Sequence, residues 1–150
     1  MKEVYYVYNN EAIASCVLLS VIDKLRKIDI PRCCLVLPFL LDDRTISYVT
    51  KNFNDEMSLM QLVNIQPRLF ASFNKRYLSL MPVMINSLMI LRKGNQIEIN
   101  DYIISNNRLD LSNPELGGRY STISEAIPLF LRLIENLSTE QLYKLFRVQL

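Results

Sequence analysis

Between Met81 and Asn100 the sequence MPVMINSLMILRKGNQIEIN changes its hydrophobic period within a few residues, and that change limits what the chain can fold into. Val83, Met84, Leu88 and Leu91 recur near helical spacing after Pro82, whose missing N–H suits a first helical turn. Ile97 and Ile99 then alternate with Gln96, Glu98 and Asn100, the pattern of a half-buried strand. Between them, Gly94-Asn95 supplies residues that tolerate the positive φ of a two-residue hairpin turn. A compact apolar helix running into a tight hairpin is half of a winged helix-turn-helix. The expected fold is therefore mainly α with a small β-hairpin and short strands: a winged helix-turn-helix-like core plus C-terminal helices.

A chain of 150 residues, half of them hydrophobic and only three of them glycine, buries a core without staples. We expect a single domain over 1–150, divided into the core at about 1–104, a loop at 105–121 and C-terminal helices at 122–148. Seventeen basic and fifteen acidic residues leave a formal charge of +2, too little to argue for nucleic acid or an anionic membrane. Cys16 and the neighbours Cys33 and Cys34 lack the count and spacing of a disulfide framework, so a reducing cytoplasm is expected. The N-terminus lacks the pattern of a signal peptide. The longest uncharged apolar block, Ala12 to Ile22, stops well short of the roughly 20 residues a bilayer needs, so no membrane span is expected.

Along the chain, Val4 to Tyr8 is β-branched and aromatic and predicts a short leading strand, with Asn9-Asn10 as the N-cap of a helix from Glu11 to Lys27. That helix is apolar nearly all round, which predicts a central position. CCLVLPFLL, Cys33 to Leu41, reads as a buried strand interrupted or ended at Pro38. Asp42 or Asp43 caps the next helix, which runs to about Lys51 with Ile46 and Val49 inward. Met57, Met60, Leu62 and Val63 form one short helical piece. Leu69, Phe70, Phe73, Tyr77 and Leu80 form an amphipathic helix after Pro67, with Arg68, Lys75 and Arg76 on its polar face. Asp101 to Ser121 has loop composition, with Gly117-Gly118 as a turn. Thr122 with Glu125, and Ser138 with Gln141, have capping-box spacing ahead of two final helices.

Chemistry is hard to find in this sequence. Histidine is absent, which removes the commonest general base and the usual zinc ligand. Three cysteines cannot complete a four-thiolate zinc site, and Cys33-Cys34 has no CxxC spacing. No GxSxG elbow is present, and Gly117-Gly118 lacks the lysine of a phosphate loop. Met57, Met60, Met81, Met84 and Met89 read as core fillers. The paired carboxylates Asp42-Asp43 are explained by capping. We therefore expect no enzyme: no catalytic residue, metal, cofactor or small-molecule substrate.

Four stretches in order carry a resemblance: YNNEAIASCVLL at Tyr8 to Leu19, LVLPFLLDDRT at Leu35 to Thr45, the run from Tyr77 to Ile99, and STEQLYKLFRV at Ser138 to Val148. Together they resemble the middle component of bacterial three-component ABC systems, with a comparable subunit in Lamassu-type systems. The chain departs from that pattern at Glu11, where many members have proline, at Asp42, where histidine is frequent, and in lacking a glycine before the last valine. The resemblance implies a non-catalytic adaptor that docks on an SMC- or Rad50-like ABC ATPase. It also implies coupling to a third effector component, in a system acting against invading phage or plasmid DNA, with DNA contact possible through the complex.

Candidate contact residues are Arg92, Lys93 and Asn95 at the hairpin tip, Arg68, Lys75 and Arg76 on the helix face, and Arg108 and Arg119 in the loop. The alternative is a winged-helix DNA-binding regulator, whose helix Met81 to Leu91 offers only Asn86 and Ser87 to read bases, with Arg92 and Lys93 for phosphate.

Overall fold

A computed structural model describes residues 2–106 and 117–149, with side chains from residue 11 onward in those ranges. Helix α1 (Lys2–Leu25) is the central element. Ala14, Val17, Leu18, Val21 and Ile22 are fully buried, as its all-round apolar sequence requires. The strand expected at Val4 to Tyr8 is instead the first part of this helix. Strand propensity is weak beside the gain of one hydrogen bond per residue when an existing helix extends, so Asn9-Asn10 lies inside the helix and does not cap it.

Arg26, at φ 69, ends α1 and turns the chain into strand β1 (Lys27–Asp29). The buried stretch that follows is helical, not extended: α2 (Ile30–Cys33) and α3 (Val36–Leu40) replace the strand expected from Cys33 to Leu41. A short apolar run has the same composition in either state, and periodicity cannot separate them. Pro38 is tolerated because it occupies the first turn of α3, where an N–H would lack a helical partner.

Helix α4 (Asp43–Asn52) is capped by Asp42, whose carboxylate accepts from the Thr45 amide at 3.3 Å and the Thr45 hydroxyl at 2.5 Å. Ile46 and Val49 point inward as expected. Helix α5 (Leu59–Ile65) opens with a capping box between Ser58 and Gln61, and α6 (Pro67–Phe70) opens on its proline.

The two helices expected on either side of Met81 are one, α7 (Phe73–Lys93), with Pro82 in its interior. Proline there removes one hydrogen bond. Pro82 lies on the exposed face, and so does Leu78, whose carbonyl is the one left free to meet water. The inward line Val83, Met84, Leu88 and Leu91 is buried as read.

Gly94-Asn95 closes this helix and is not a hairpin turn. Gly94 has φ −81 and only Asn95 is left-handed, at φ 59. The Gln96 amide donates to the Leu91 carbonyl and the Asn95 amide to the Arg92 carbonyl, which together make a Schellman cap. The hairpin lies further on, where strands β2 (Ile97–Ile99) and β3 (Tyr102–Ser105) meet at Asn100-Asp101. The sheet is antiparallel in the order β1-β3-β2. Ile28 and Ile99 both pair with Ile103, which is wholly buried, while Tyr102 and Ile104 face outward.

Thus the expected loop from Asp101 holds a strand at its start. Its far end is helical too: α8 (Gly118–Ile134) begins behind Gly117, whose φ of +92 suits glycine. Thr122 is therefore inside α8, donating to the Gly118 carbonyl, and the capping box expected with Glu125 does not form. Pro128, on an exposed face, is carried within the helix as Pro82 is. The second box does form, with Ser138 and Gln141 opening α9 (Thr139–Leu145). Of the methionines read as core fillers, Met84 is buried, Met57 and Met81 pack at its edge, and Met60 and Met89 are exposed.

The cap assignment at the end of α7 separates two neighbouring substitutions. Gly94→Ala fits, because its Cβ meets nothing nearer than 3.5 Å, and should stabilise by up to about 1 kcal/mol. Asn95→Ala places an L side chain without local hydrogen bonding in the left-handed region and should cost about 1 kcal/mol. Urea unfolding of both variants checks the pair; equal effects would mean the two positions share one turn.

Candidate functional site

The basic residues selected from the sequence separate into different environments. Arg92 and Lys93 are exposed on the last turn of α7, next to Asn95, whose carbonyl accepts from Asn106 Nδ2 at 2.9 Å. Arg68 is exposed on α6 and Lys75 on α7, so they belong to different helices. Arg119 is half-buried at the start of α8, where it lines a cavity of about 420 Å³ against Asp43, Ser47 and Lys51 of α4. Arg108 lies outside the described residues.

Arg76 is turned inward. Its Nε donates to the Pro38 carbonyl at 3.0 Å, one terminal nitrogen donates to Ser72 Oγ at 2.7 Å, and the other donates to the Leu69 carbonyl at 3.2 Å. Asp42 lies 3.9 Å away and supplies a counter-charge. This guanidinium ties α3, α6 and α7 together at the cap of α4, leaving its donors engaged within the fold.

Sequence reading did not find a groove of about 780 Å³ between α2, α7 and α9. Its floor carries Cys34, Tyr77 and Tyr143. The Tyr143 hydroxyl donates to the Pro31 carbonyl at 2.6 Å and lies 3.3 Å from that of Tyr77. Burial pushes the Cys34 thiol up from its ordinary range, and burial followed by the Tyr77 hydrogen bond does the same to Tyr143. Cys34 and Tyr143 are therefore neutral at physiological pH, and the floor offers apolar surface with neutral hydrogen bonding. Charge sits at the rim, where Lys144 pairs with Glu140 at 3.4 Å. Cys33 is fully buried, its thiol pushed up first by burial, and all three cysteines are free thiols.

A second feature was hidden by the expected break at Pro82. With α7 continuous, Leu78, Pro82, Ile85 and Met89 follow at intervals of four, three and four on the face opposite the buried one, and all are exposed. The spacing is readable once the helix is carried through proline. The two polar side chains considered as base readers are both engaged or enclosed: Asn86 Nδ2 donates to Glu11 Oε1 at 3.2 Å, and Ser87 is wholly buried.

Among the described residues, no three His, Cys, Asp or Glu side chains are grouped to hold a metal ion, and no helix is long and apolar enough to cross a membrane. What the surface does present is an apolar helix face and an apolar groove, the features by which small helical proteins bind other proteins. The model of the family described as ABC-three component (ABC-3C) system Middle Component 3 matches residues 1–150, and the chain belongs to that family. No curated protein and no solved structure matches it. The order of motifs from Tyr8 to Val148 had implied this membership.

Arg76 and Lys75 are adjacent in sequence and opposite in consequence. Arg76→Ala strands the Pro38 and Leu69 carbonyls and should cost about 3 kcal/mol. Lys75→Ala removes an exposed charge and should stay within about 0.5 kcal/mol. Equilibrium unfolding in urea distinguishes them, and equal losses would show that Arg76 is ordinary surface.

Proposed function

We propose that this protein is a non-catalytic adaptor that docks on an SMC- or Rad50-like ABC ATPase. In this reading it couples the ATPase to the third component of an anti-phage or anti-plasmid defence system in the cytoplasm. The observation that carries the reading is membership, over residues 1–150, in a family defined as the middle component of a three-component system. The surface supports it: a row of apolar side chains on α7 is costly to leave in water and gains from a partner. The neutral floor around Cys34 supports it as well, since a protonated thiol is a poor nucleophile. The exposed basic residues Arg92, Lys93, Arg68 and Lys75, and Arg119 at its cavity, are proposed as rim contacts.

The second reading is a winged-helix DNA-binding regulator. It is favoured by the order of elements, a helix, a strand, further helices and a hairpin, with the sheet order β1-β3-β2. It is opposed by the state of Asn86 and Ser87, which leaves the helix before the hairpin poorly equipped to read base edges.

Co-expression with the adjacent ABC ATPase and third component tests the first reading. The chain should co-elute with at least one of them and change ATP turnover; elution alone at low micromolar concentration, with turnover unchanged, ends the adaptor idea. Titrating salt against a short DNA duplex tests the second. A regulator that contacts phosphates must lose affinity steeply as salt rises, and absence of binding at low salt removes that reading.

A further inference from the structure

The outer face of α7 has a composition that specifies its partner. Its inner face buries Phe73, Tyr77, Leu80, Met84, Leu88 and Leu91, so the opposite face should be polar. It is not: Leu78 is 56% exposed, Ile85 48% and Met89 37%, with Pro82 exposed between them. Single exposed apolar residues are ordinary, but a line spanning about 16 Å along one helix is a packing surface. The 4-3-4 spacing is that of the apolar seam along which a second helix packs side by side.

The charges are equally one-sided. Every charged residue of α7 is basic: Lys75 and Arg76 near its start, Arg92 and Lys93 at its end. Arg76 is occupied internally, which leaves Lys75 and the Arg92-Lys93 pair exposed at opposite ends of the apolar line, about 26 Å apart along the axis. On the flank, Ser79 and Asn86 are neutral, and Glu11 reaches Asn86. A second copy of α7 does not fit this pattern. Laid antiparallel it sets Lys75 against Arg92 and Lys93, and laid parallel it sets like on like, so either pairing concentrates positive charge. DNA does not fit either, because an uncharged apolar row separates the cations.

We infer that this face receives an amphipathic helix of another component of the system, one whose apolar stripe is bracketed at both ends by acidic residues. Ile85 at the middle of the row is the anchor, and Lys75, Arg92 and Lys93 fix the register by pairing with the acids. The inference rests on the adaptor reading and adds to it the surface used and the chemistry of the partner.

The test uses the full chain, with the co-expressed ABC ATPase and the third component as probes in separate affinity measurements. Three variants are compared with wild type: Ile85→Glu, the triple Lys75→Glu, Arg92→Glu and Lys93→Glu, and Met60→Glu, a somewhat more exposed apolar position on α5. All three change surface residues, and thermal unfolding confirms that each is folded. For whichever component the wild type binds, Ile85→Glu should weaken affinity at least about tenfold. The triple reversal should weaken it and flatten or invert its salt dependence, while Met60→Glu leaves it unchanged. Undiminished binding by Ile85→Glu overturns the inference while the adaptor reading stands. Failure of the wild type to bind either component overturns both. A wild-type dimer that Ile85→Glu makes monomeric overturns it in favour of self-pairing.

Discussion

Five phenylalanines from separate parts of the chain meet at one place, and the packing of the outer helices depends on that meeting. Phe39 of α3 lies 4.7 Å from Phe130 of α8, and Phe73 of α7 stacks on Phe146 at 4.2 Å and 7°. Phe70 of α6 closes the group, 5.9 Å from Phe146. Offset and tilted rings at these distances add to the hydrophobic gain of burial, and no single helix of the set could bury its ring alone. Helices α3, α6 and α9 are too short to be stable in isolation, so this cluster is what keeps them helical.

Around the aromatic cluster, half-buried polar side chains join helix ends. Arg76 crosses from α7 to the carbonyls of Pro38 and Leu69, beside the carboxylate that caps α4. A similar clamp attaches α9: Arg32 donates to Thr139 Oγ1 at 3.1 Å and to the Leu137 carbonyl, while Asp29 caps α2 and accepts from the Thr139 hydroxyl. Both clamps satisfy carbonyls and amides that helix ends leave over, which is why they cluster where short helices stop. With the interior joined this way, the outer apolar side chains of α7 and the groove by α9 remain on the surface.

Legibility followed the range of the interaction. The cap at Asp42 and the box at Ser138 and Gln141 are readable because every participant lies within four residues. The box at Ser58 and Gln61 carries the same local signal. The pattern at Thr122 and Glu125 misleads because a local pattern does not say whether the helix has already begun. Of the basic residues chosen for contact, Arg68, Lys75, Arg92 and Lys93 lie on the exposed surface. Arg76 does not, since its partners Pro38 and Leu69 are brought to it by the fold.

The sequence by itself determined that the chain is mainly helical with a small sheet, which face of α7 turns inward, and which family it belongs to, because periodicity and motif order are properties of the chain alone. The tertiary structure decided that Cys33 to Leu41 is helical and that Val4 to Tyr8 extends α1. It also decided that α7 passes through Pro82 without stopping. In each of these the local preferences differ by little, and burial against distant side chains outweighs them. The stretch from Met81 to Asn100 shows both sides. Its inner face and its strand were written in the sequence, while the continuity that exposes its outer face came only from what α7 packs against.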